Sequence, residues 1–203
     1  MDVIPSLQSL NGNPLAAIDV ETTGRIGGYH EVIQIAIVPM SLDLEIADLE
    51  PFYQNIAPEY PERVEPGSTR VHNLNVDDLM VNAPSKEKVL QYLVEWFDRL
   101  PLGHGRRLTP LAHNWAFEKS FLTPWLGPEL MNSLFSPLIR DTMQTAVFFN
   151  DRSAMLGRER PFQSISLSAL CKNFGIKLEN AHDALADCQA TAKLFKSFMR
   201  ATV

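Results

Sequence analysis

The chain has few cysteines, no excess of basic residues and no long uncharged apolar run. Two cysteines, Cys171 and Cys188, are present among 203 residues, which is too few for the disulfide framework of a small secreted protein. No apolar stretch approaches the roughly 18 residues of a membrane span, and no charged-then-apolar leader precedes the first predicted strand. We therefore expect a protein of the reducing cytoplasm with no membrane partner.

The composition also lacks the bias that marks a fibrous or disordered protein. The chain contains 10 glycines and 14 prolines, and 45% of its residues are hydrophobic and 21% charged, which is the balance of an ordinary globular protein. Because chains usually divide into domains only beyond roughly 250 residues, we expect residues 1–203 to form one domain.

Acidic residues outnumber basic ones, by 24 to 18, giving a formal net charge of −6 and a pI of about 5.4. This total argues against nonspecific phosphate binding by a basic surface. The charge is segregated, however: residues 1–139 hold 9 basic and 18 acidic side chains (net −9), and residues 140–203 hold 9 and 6 (net +3). The placement of charge therefore matters more than its total.

One segment of the basic half has no usable periodicity. Residues 150–164 contain Arg152, Arg158 and Arg160, without the regular apolar spacing of a helix or strand. We predict that they form a mobile basic loop.

Two patterns of apolar residues predict an α/β fold. Small and β-branched residues predict strands at 15–20, 32–38 and about 49–56, joined as an antiparallel meander. Further along, helices alternate with short strands, as added parallel strands require. These later segments are a helix between Pro84 and Pro101 capped by Ser85, a strand at 110–113, a helix with Phe117, Phe121 and Leu122, a strand at about 138–141, a helix at 166–174 and a helix from about Asp183.

Two carboxylates end the first predicted strand. Asp19 and Glu21 project from one face of it while Ile18 and Val20 project from the other. The acid-x-acid pattern alone is uninformative, because it occurs three times in the chain, about as often as chance predicts. The other two pairs fall in a polar connection, whereas this pair belongs to an apolar strand, where unpaired charge is costly. A cation between the two carboxylates would remove their repulsion.

Two other segments carry candidate catalytic residues. Residues 112–118 run from a strand end into a helix; Phe117 and Glu118 are either a core aromatic beside an exposed acid or the source of another carboxylate. His182 lies in the turn before the last helix, and Asp187 lies about one turn into it. Asp187 borders the apolar stripe of that helix, so it is either a ligand or a cap or ion-pair partner.

Taken in order, these segments resemble the DEDDh class of 3′-to-5′ exonucleases, the superfamily that contains proofreading subunits, ribonuclease T and oligoribonuclease. Residues 18–24 (IDVETTG) look like the D-x-E-T-T-G of that family, residues 113–118 (HNWAFE) like its H-N-x-x-F-D, and residues 182–187 (HDALAD) like its H-x-A-x-x-D. Weaker matches are Val71-His72-Asn73, Asp141-Thr142 and residues 166–176. Three motifs in the right order form a specific signal, and the resemblance covers about residues 14–199.

The resemblance implies a ribonuclease H-like α/β fold, with a five-stranded mixed sheet of three antiparallel strands and parallel additions, flanked by helices. Two residues depart from the family pattern. Glu118 stands where the family usually has Asp, and a misplacement of about 1 Å can cost on the order of 10²-fold in rate. Arg25 stands where the family usually has Leu, which removes an apolar wedge against the terminal base unless Ile26 substitutes.

The resemblance and the carboxylate chemistry together imply a site for two divalent cations, Mg²⁺ or Mn²⁺. Hard cations take oxygen ligands, and two of them can clamp the attacking and leaving oxygens of a phosphodiester. Asp19, Glu21 and Asp187 would hold the ions, and Glu118 would support the second, directly or through water. His182 would be the general base that takes a proton from the attacking water, since histidine exchanges protons near neutral pH.

Contacts to the substrate are also implied by the resemblance. The residues that would lie at the terminal nucleotide are Thr22, Thr23, His72 and Asn114. Trp115 or Phe117 would stack on a base, although both are equally well explained as core residues. Arg158 and Arg160 would clamp the backbone, and a simply solvated loop is the alternative.

The activity predicted in this way is hydrolysis of single-stranded 3′ ends to nucleoside 5′-monophosphates, with DNA in proofreading or repair as the leading substrate. A 3′-to-5′ exoribonuclease or oligoribonuclease is the second enzymatic interpretation, because no residue decides between the two sugars. A catalytically impaired nucleic-acid-binding or scaffold module is the alternative from another class, motivated by Glu118. The candidate partners are a polymerase and a second copy of the chain.

Overall fold

The computed structural model describes residues 12–72, 74–102 and 105–201. These residues form five β-strands and eight α-helices. The strands are β1 (Leu15–Thr22), β2 (Val32–Pro39), β3 (Phe52–Asn55), β4 (Thr109–Ala112) and β5 (Arg140–Asp141). The helices are α1 (Pro66–His72), α2 (Val76–Asn82), α3 (Lys86–Asp98), α4 (Trp115–Leu126), α5 (Pro128–Leu134), α6 (Thr142–Met155), α7 (Leu167–Asn173) and α8 (Ala184–Arg200). Asn73, part of one of the weaker sequence matches, lies outside the described residues.

The strands form one mixed sheet in the order β3-β2-β1-β4-β5. β1 is antiparallel to β2, and β2 to β3, whereas β4 is parallel to both β1 and β5. The predicted mixed sheet with three antiparallel strands and parallel additions is therefore confirmed. Along β1, the pairing with β4 covers Leu15, Ala16 and Ala17, so Asp19 and Glu21 lie past its end. Open α/β sheets bind ligands at such carboxyl ends of strands.

Side chains of β1 alternate between two packed layers. Ile18 joins a core that also contains buried residues of α3 and α4. Ala17 joins a second core formed with α8. Because successive side chains of a strand point to opposite faces, Asp19 and Glu21 continue the row of Ala17 toward α8.

Several boundaries differ from the sequence predictions. β3 is Phe52–Asn55, shorter than the predicted strand at 49–56, and α3 begins after Ser85, whose hydroxyl accepts a hydrogen bond from the Lys88 N–H as predicted. The helices α1, α2 and α5 and the first half of α6 were not predicted from the sequence. α1 opens with Pro66 and Gly67, and glycine disfavours helix formation, so its tertiary setting outweighs a weak local signal.

The predicted loop at residues 150–164 is wrong in its first part, because α6 continues to Met155. The remainder is fastened to that helix. Phe162 is buried, and the Asn150 side chain binds its backbone twice, donating to the carbonyl at 2.9 Å and accepting from the N–H at 3.0 Å. Arg158 and Arg160 are exposed. Phe162 therefore holds this segment against α6, although the segment has no apolar periodicity.

Both cysteines are buried free thiols, Cys171 in α7 and Cys188 in α8. Burial raises the pKa of the Cys171 thiol to about 11, which keeps it protonated and unreactive at neutral pH. In the part of the chain that the structure describes, no helix is both long and apolar enough to cross a membrane.

Candidate active site

Three carboxylates from two elements meet beside the sheet. Asp19 and Glu21 come from β1, and Asp187 comes from the first turn of α8, which packs on the same face. One carboxylate oxygen from each of the three lies within 4.8 Å of the other two. The two motifs that are furthest apart in the sequence therefore supply one acidic cluster.

Glu118 approaches this cluster from α4. The helix buries a stripe of apolar residues, and Glu118 occupies a position in that stripe with 3% of its surface exposed. Burial and, next, the charge of Glu118 raise the pKa of Asp19, and Glu118 lines the same cleft as Asp19, Glu21 and Asp187. The alternative of an exposed acid is therefore excluded, and α4 supplies a fourth carboxylate.

Burial raises the pKa of all four carboxyl groups, and neighbouring acidic charges raise each of them further. Burial is the largest cause for Asp19, followed by the charges of Glu118 and Glu21. Burial and the charges of Asp187 and Asp183 raise the pKa of Glu21 to about 8. Burial likewise raises the pKa of Glu118 and of Asp187. Folding holds these acids where their ionised forms are disfavoured unless positive charge is supplied.

The donor set fits hard divalent cations. All four groups are carboxylates, the ligands that Mg²⁺ and Mn²⁺ prefer. Asp187 Oδ1 and Glu118 Oε2 are buried and have no hydrogen-bond partner among the described residues. Leaving a buried acceptor unsatisfied is costly, more so for a charged group. Divalent cations in the cleft would supply the positive charge that these buried acids lack.

The cluster opens into a cleft of about 770 Å³. Its acidic wall comes from β1, α4 and α8, and its other wall comes from α1 and the preceding residues. Three of the predicted substrate residues line it, namely Thr22, His72 and Phe117. A single strand end could thus lie between the carboxylates and α1.

His182 also lines the cleft, in the turn before α8. It is exposed and has a left-handed backbone conformation, with φ 69°. Its backbone N–H donates to Asp187 Oδ2 at 3.4 Å. His72 lines the same cleft. Its pKa is lowered first by its own burial and then by the nearby charge of His182.

Thr22 and Thr23 take different positions after β1. The Thr22 hydroxyl donates to the Gly24 carbonyl at 2.7 Å. Thr23 is fully buried, and its hydroxyl accepts from the Glu31 N–H at 2.9 Å, so its side chain shapes the loop and does not line the cleft. Gly24 is required there, because a Cβ would lie 2.3 Å from the His30 ring.

The two aromatic candidates both lie in the first turn of α4 but have different surroundings. Trp115 is 9% exposed and belongs to the core, whereas Phe117 lines the cleft. The core alternative therefore applies to Trp115. Asn114 has φ 84° at the N-cap of α4, and Asp141 Oδ2 accepts the Trp115 N–H at 2.8 Å, which fixes the start of this helix.

The arginines that line the cleft are not the pair predicted to clamp the backbone. Arg158 and Arg160 are not among its described lining residues, whereas Arg25 and Arg70 are. The Arg25 Nε donates to Glu65 Oε2 at 3.2 Å. Glu65 and Arg70 were not predicted to lie here, because the sequence pattern does not indicate α1 and no spacing marks the two residues.

The sheet order, with helices on both faces and carboxylates at the end of the central strand, defines a ribonuclease H-like α/β domain. A family model described as Exonuclease, RNase T, matches residues 16–195. The chain therefore belongs to the RNase T exonuclease family, and the resemblance to DEDDh exonucleases is confirmed.

Curated relatives include DNA polymerase III PolC-type proteins. The protein from Staphylococcus haemolyticus is 28% identical over 193 residues, which is 94% of this chain and 12% of the polymerase. The Staphylococcus aureus protein (strain MW2) is 30% identical over 179 residues, 87% of this chain and 11% of the polymerase. The chain thus spans about an eighth of the length of these relatives.

Solved structures share the fold at low identity. The nuclease domain of 3′hExo, a DEDDh family member bound to rAMP, has a TM-score of 0.68 at 16% identity, with 96% of this chain and 94% of that chain covered. E. coli Exonuclease I in complex with a dT13 oligonucleotide has a TM-score of 0.66 at 17% identity, covering 91% and 40%. At such identities the likeness concerns the fold alone.

Proposed function

We propose that this protein is a metal-dependent 3′-to-5′ exonuclease that releases nucleoside 5′-monophosphates from single-stranded ends, with DNA as the leading substrate. The observation that carries the proposal is the meeting of four carboxylates and a histidine, from three elements, in one cleft. Membership of an exonuclease family supports the hydrolytic class. The polymerase names of the curated relatives and the dT13 complex of E. coli Exonuclease I support DNA.

In this proposal Asp19, Glu21 and Asp187 hold two divalent cations, Mg²⁺ or Mn²⁺, and Glu118 supports the second. When bound, the ions offset the carboxylate charge and stabilise charge that develops on the phosphodiester oxygens. His182 takes the proton from the attacking water; its exposed side chain in the cleft suits exchange with solvent.

The strand end would lie against residues of both walls. Phe117 is half-buried at the cleft and would stack on the terminal base, since base–aromatic stacking contributes roughly 1–3 kcal/mol. Thr22 and His72 would contact the terminal nucleotide. Arg25 replaces an apolar wedge by a guanidinium that can leave Glu65 for a backbone phosphate.

RNA is the second candidate substrate, and one observation favours it. The nuclease domain of 3′hExo, which matches this chain over nearly its whole length, was solved with rAMP. The catalytically impaired module is not proposed, because Glu118, the residue that motivated it, lies with the other acids.

Labelled oligonucleotides test the activity directly. Purified protein is incubated with DNA and RNA of one sequence, labelled at the 5′ or the 3′ end, with Mg²⁺, Mn²⁺ or EDTA. We expect immediate release of a 3′-labelled mononucleotide and a descending ladder of 5′-labelled products, with either ion and not with EDTA. Cleavage in EDTA, release from the 5′ end, or no cleavage with either ion would contradict the proposal. The oligonucleotide that is degraded faster, DNA or RNA, identifies the preferred substrate.

Partners and location extend the proposal beyond the site. We propose a polymerase as a partner, supported by the PolC-type relatives, of which the chain matches about an eighth; self-association is the alternative. A cytoplasmic location agrees with the two free buried thiols. One exonuclease domain over residues 1–203 remains a prediction.

A further inference from the structure

A buried glutamine interrupts the apolar strand beside the site. All eight residues of β2 are buried, and Gln34 among them is 1% exposed. Burying an amide without hydrogen-bond partners destabilises a fold. Its hydrogen bonds therefore identify what the fold gains from it.

Gln34 joins the sheet to the start of α8. Its Oε1 accepts the Ala184 N–H at 2.8 Å. Its Nε2 donates to the Tyr53 hydroxyl oxygen at 3.0 Å and to Asn55 Oδ1 at 2.9 Å. Because Oε1 faces a backbone donor, the amide nitrogen must face β3, and the direction of both bonds is fixed.

That direction determines what Tyr53 does. Its oxygen accepts from Gln34, so its own proton is donated elsewhere, to Asp183 Oδ2 at 2.5 Å. The other oxygen of Asp183 accepts the Ala186 N–H at 3.1 Å and caps α8. The hydrogen bonds run in one sense from Gln34 through Tyr53 to Asp183, an arrangement in which each bond strengthens the next.

The residue that precedes Asp183 is His182. The turn that carries it has two non-glycine residues with left-handed backbone, Asn180 at φ 54° and His182 at φ 69°. Such conformations cost energy and persist when the surroundings hold them. Among the described residues, the hydrogen bonds that join this turn and the first residue of α8 to the sheet are those of Asp183 with Tyr53 and Ala184 with Gln34.

We propose that Tyr53, oriented by Gln34, is a positioning residue that sets the place of His182 in the acidic cleft. Tyr53 acts through Asp183, and neither Gln34 nor Tyr53 is among the described lining residues of the cleft. The inference rests on the proposed function, in which His182 moves the proton.

Tyr53→Phe is the test, because it keeps the ring and removes both bonds of the hydroxyl. We expect kcat to fall on the order of 10- to 100-fold, since small displacements of reacting groups cost that much, while KM and Mn²⁺ affinity change less than about twofold. Tyr92→Phe on α3 is the matched control, with wild-type kinetics expected. Wild-type kcat in Tyr53→Phe would overturn the proposal.

A double-mutant cycle with His182→Ala separates positioning from general loss of structure. If Tyr53 acts through His182, adding Tyr53→Phe to His182→Ala produces no further loss of kcat; if the two losses multiply, the proposal is wrong. All assays are run well below the midpoint of thermal unfolding of each variant.

Amide hydrogen exchange gives a readout that does not depend on activity. We expect faster exchange at Ala186 in Tyr53→Phe and unchanged exchange in the middle of α8, and unaltered exchange at Ala186 would contradict the network. Inactive wild-type protein would defeat the proposed function and leave this exchange test standing. If the wild-type protein is active and Tyr53→Phe has the same kcat, the positioning role alone would be wrong.

Discussion

The acidic cleft and the segment after α6 hold charge in opposite ways. In the cleft, folding brings four carboxyl groups together and raises the pKa of each. In the segment after α6, Arg158 and Arg160 remain exposed, and Phe162 fastens the chain. Charge that folding must work against requires compensation, so it indicates function, whereas exposed charge costs little and indicates little.

Asp19→Asn removes one charge from the cleft and has the largest expected effect. We expect kcat/KM to fall on the order of 10²- to 10³-fold, as for loss of a preorganised electrostatic group. In EDTA the same variant melts at a higher temperature than wild type, because repulsion within the cluster is relieved. Oligonucleotide kinetics and thermal melting measure the two effects.

Asp43→Asn is the matched control, since Asp43 belongs to an acid-x-acid pair in an exposed connection. In this variant, kcat/KM and the melting temperature in EDTA should both stay at their wild-type values. If Asp19→Asn keeps an activity within threefold of wild type, the carboxylates of the cleft are not needed for catalysis and the account is wrong.

Glu118→Asp tests the reach of the fourth carboxylate. Asp is the residue usual in the family, but here it withdraws the carboxylate by one methylene from a buried cluster. We expect roughly a tenfold fall in kcat and a larger fall for Glu118→Gln. If Glu118→Asp is more active than wild type, the longer side chain of Glu118 is not needed to place its carboxylate in the cleft.

Metal-free stability should fall as pH rises. Glu21 has a folded pKa of about 8, above its ordinary value of 4.5, so the folded state binds more protons than the unfolded state between those values. Its stabilising contribution is present below about pH 4.5 and is lost as pH rises through 8. We expect a fall of several degrees in melting temperature in EDTA from pH 5 to 8, since about 1 kcal/mol corresponds to roughly 2–4 °C.

Added Mn²⁺ should raise the melting temperature more at pH 8 than at pH 5, because the ions compete with protons for the same oxygens. Equal stabilisation at both pH values would indicate that the ion binds outside the acidic cluster.

Arg158→Ala combined with Arg160→Ala has the smallest expected effect. Both side chains are exposed and lie apart from the cleft lining, so we expect kcat/KM to change less than about twofold, in line with surface substitutions. Arg70→Ala in the cleft wall is the comparison, with KM raised several-fold. A larger effect from the exposed pair would restore the predicted backbone clamp.

The sequence predicted the parts of the site that reside in local patterns. Strand alternation placed Asp19 and Glu21 on one face, and motif order brought in Asp187. Glu118 was left between two alternatives, although its position in the apolar stripe of α4 was the signal that it is buried.

The contacts between distant segments could not be predicted. Gln34 and Ala184 are 150 residues apart, and nothing in the intervening pattern pairs them. The same holds for α1, whose proline and glycine give no helical signal, and hence for the cleft wall that carries Arg70. Such features depend on tertiary packing and not on local propensity.

Counting bound Mn²⁺ tests the central claim most directly. Electron paramagnetic resonance of Mn²⁺ titrated into the protein with dTMP present measures how many ions bind and how tightly. The predicted result is two ions per chain in the wild type and a loss of at least one in Asp19→Asn, with Asp43→Asn unchanged. Wild-type protein that binds no Mn²⁺, or binds it equally well in Asp19→Asn, would contradict the account.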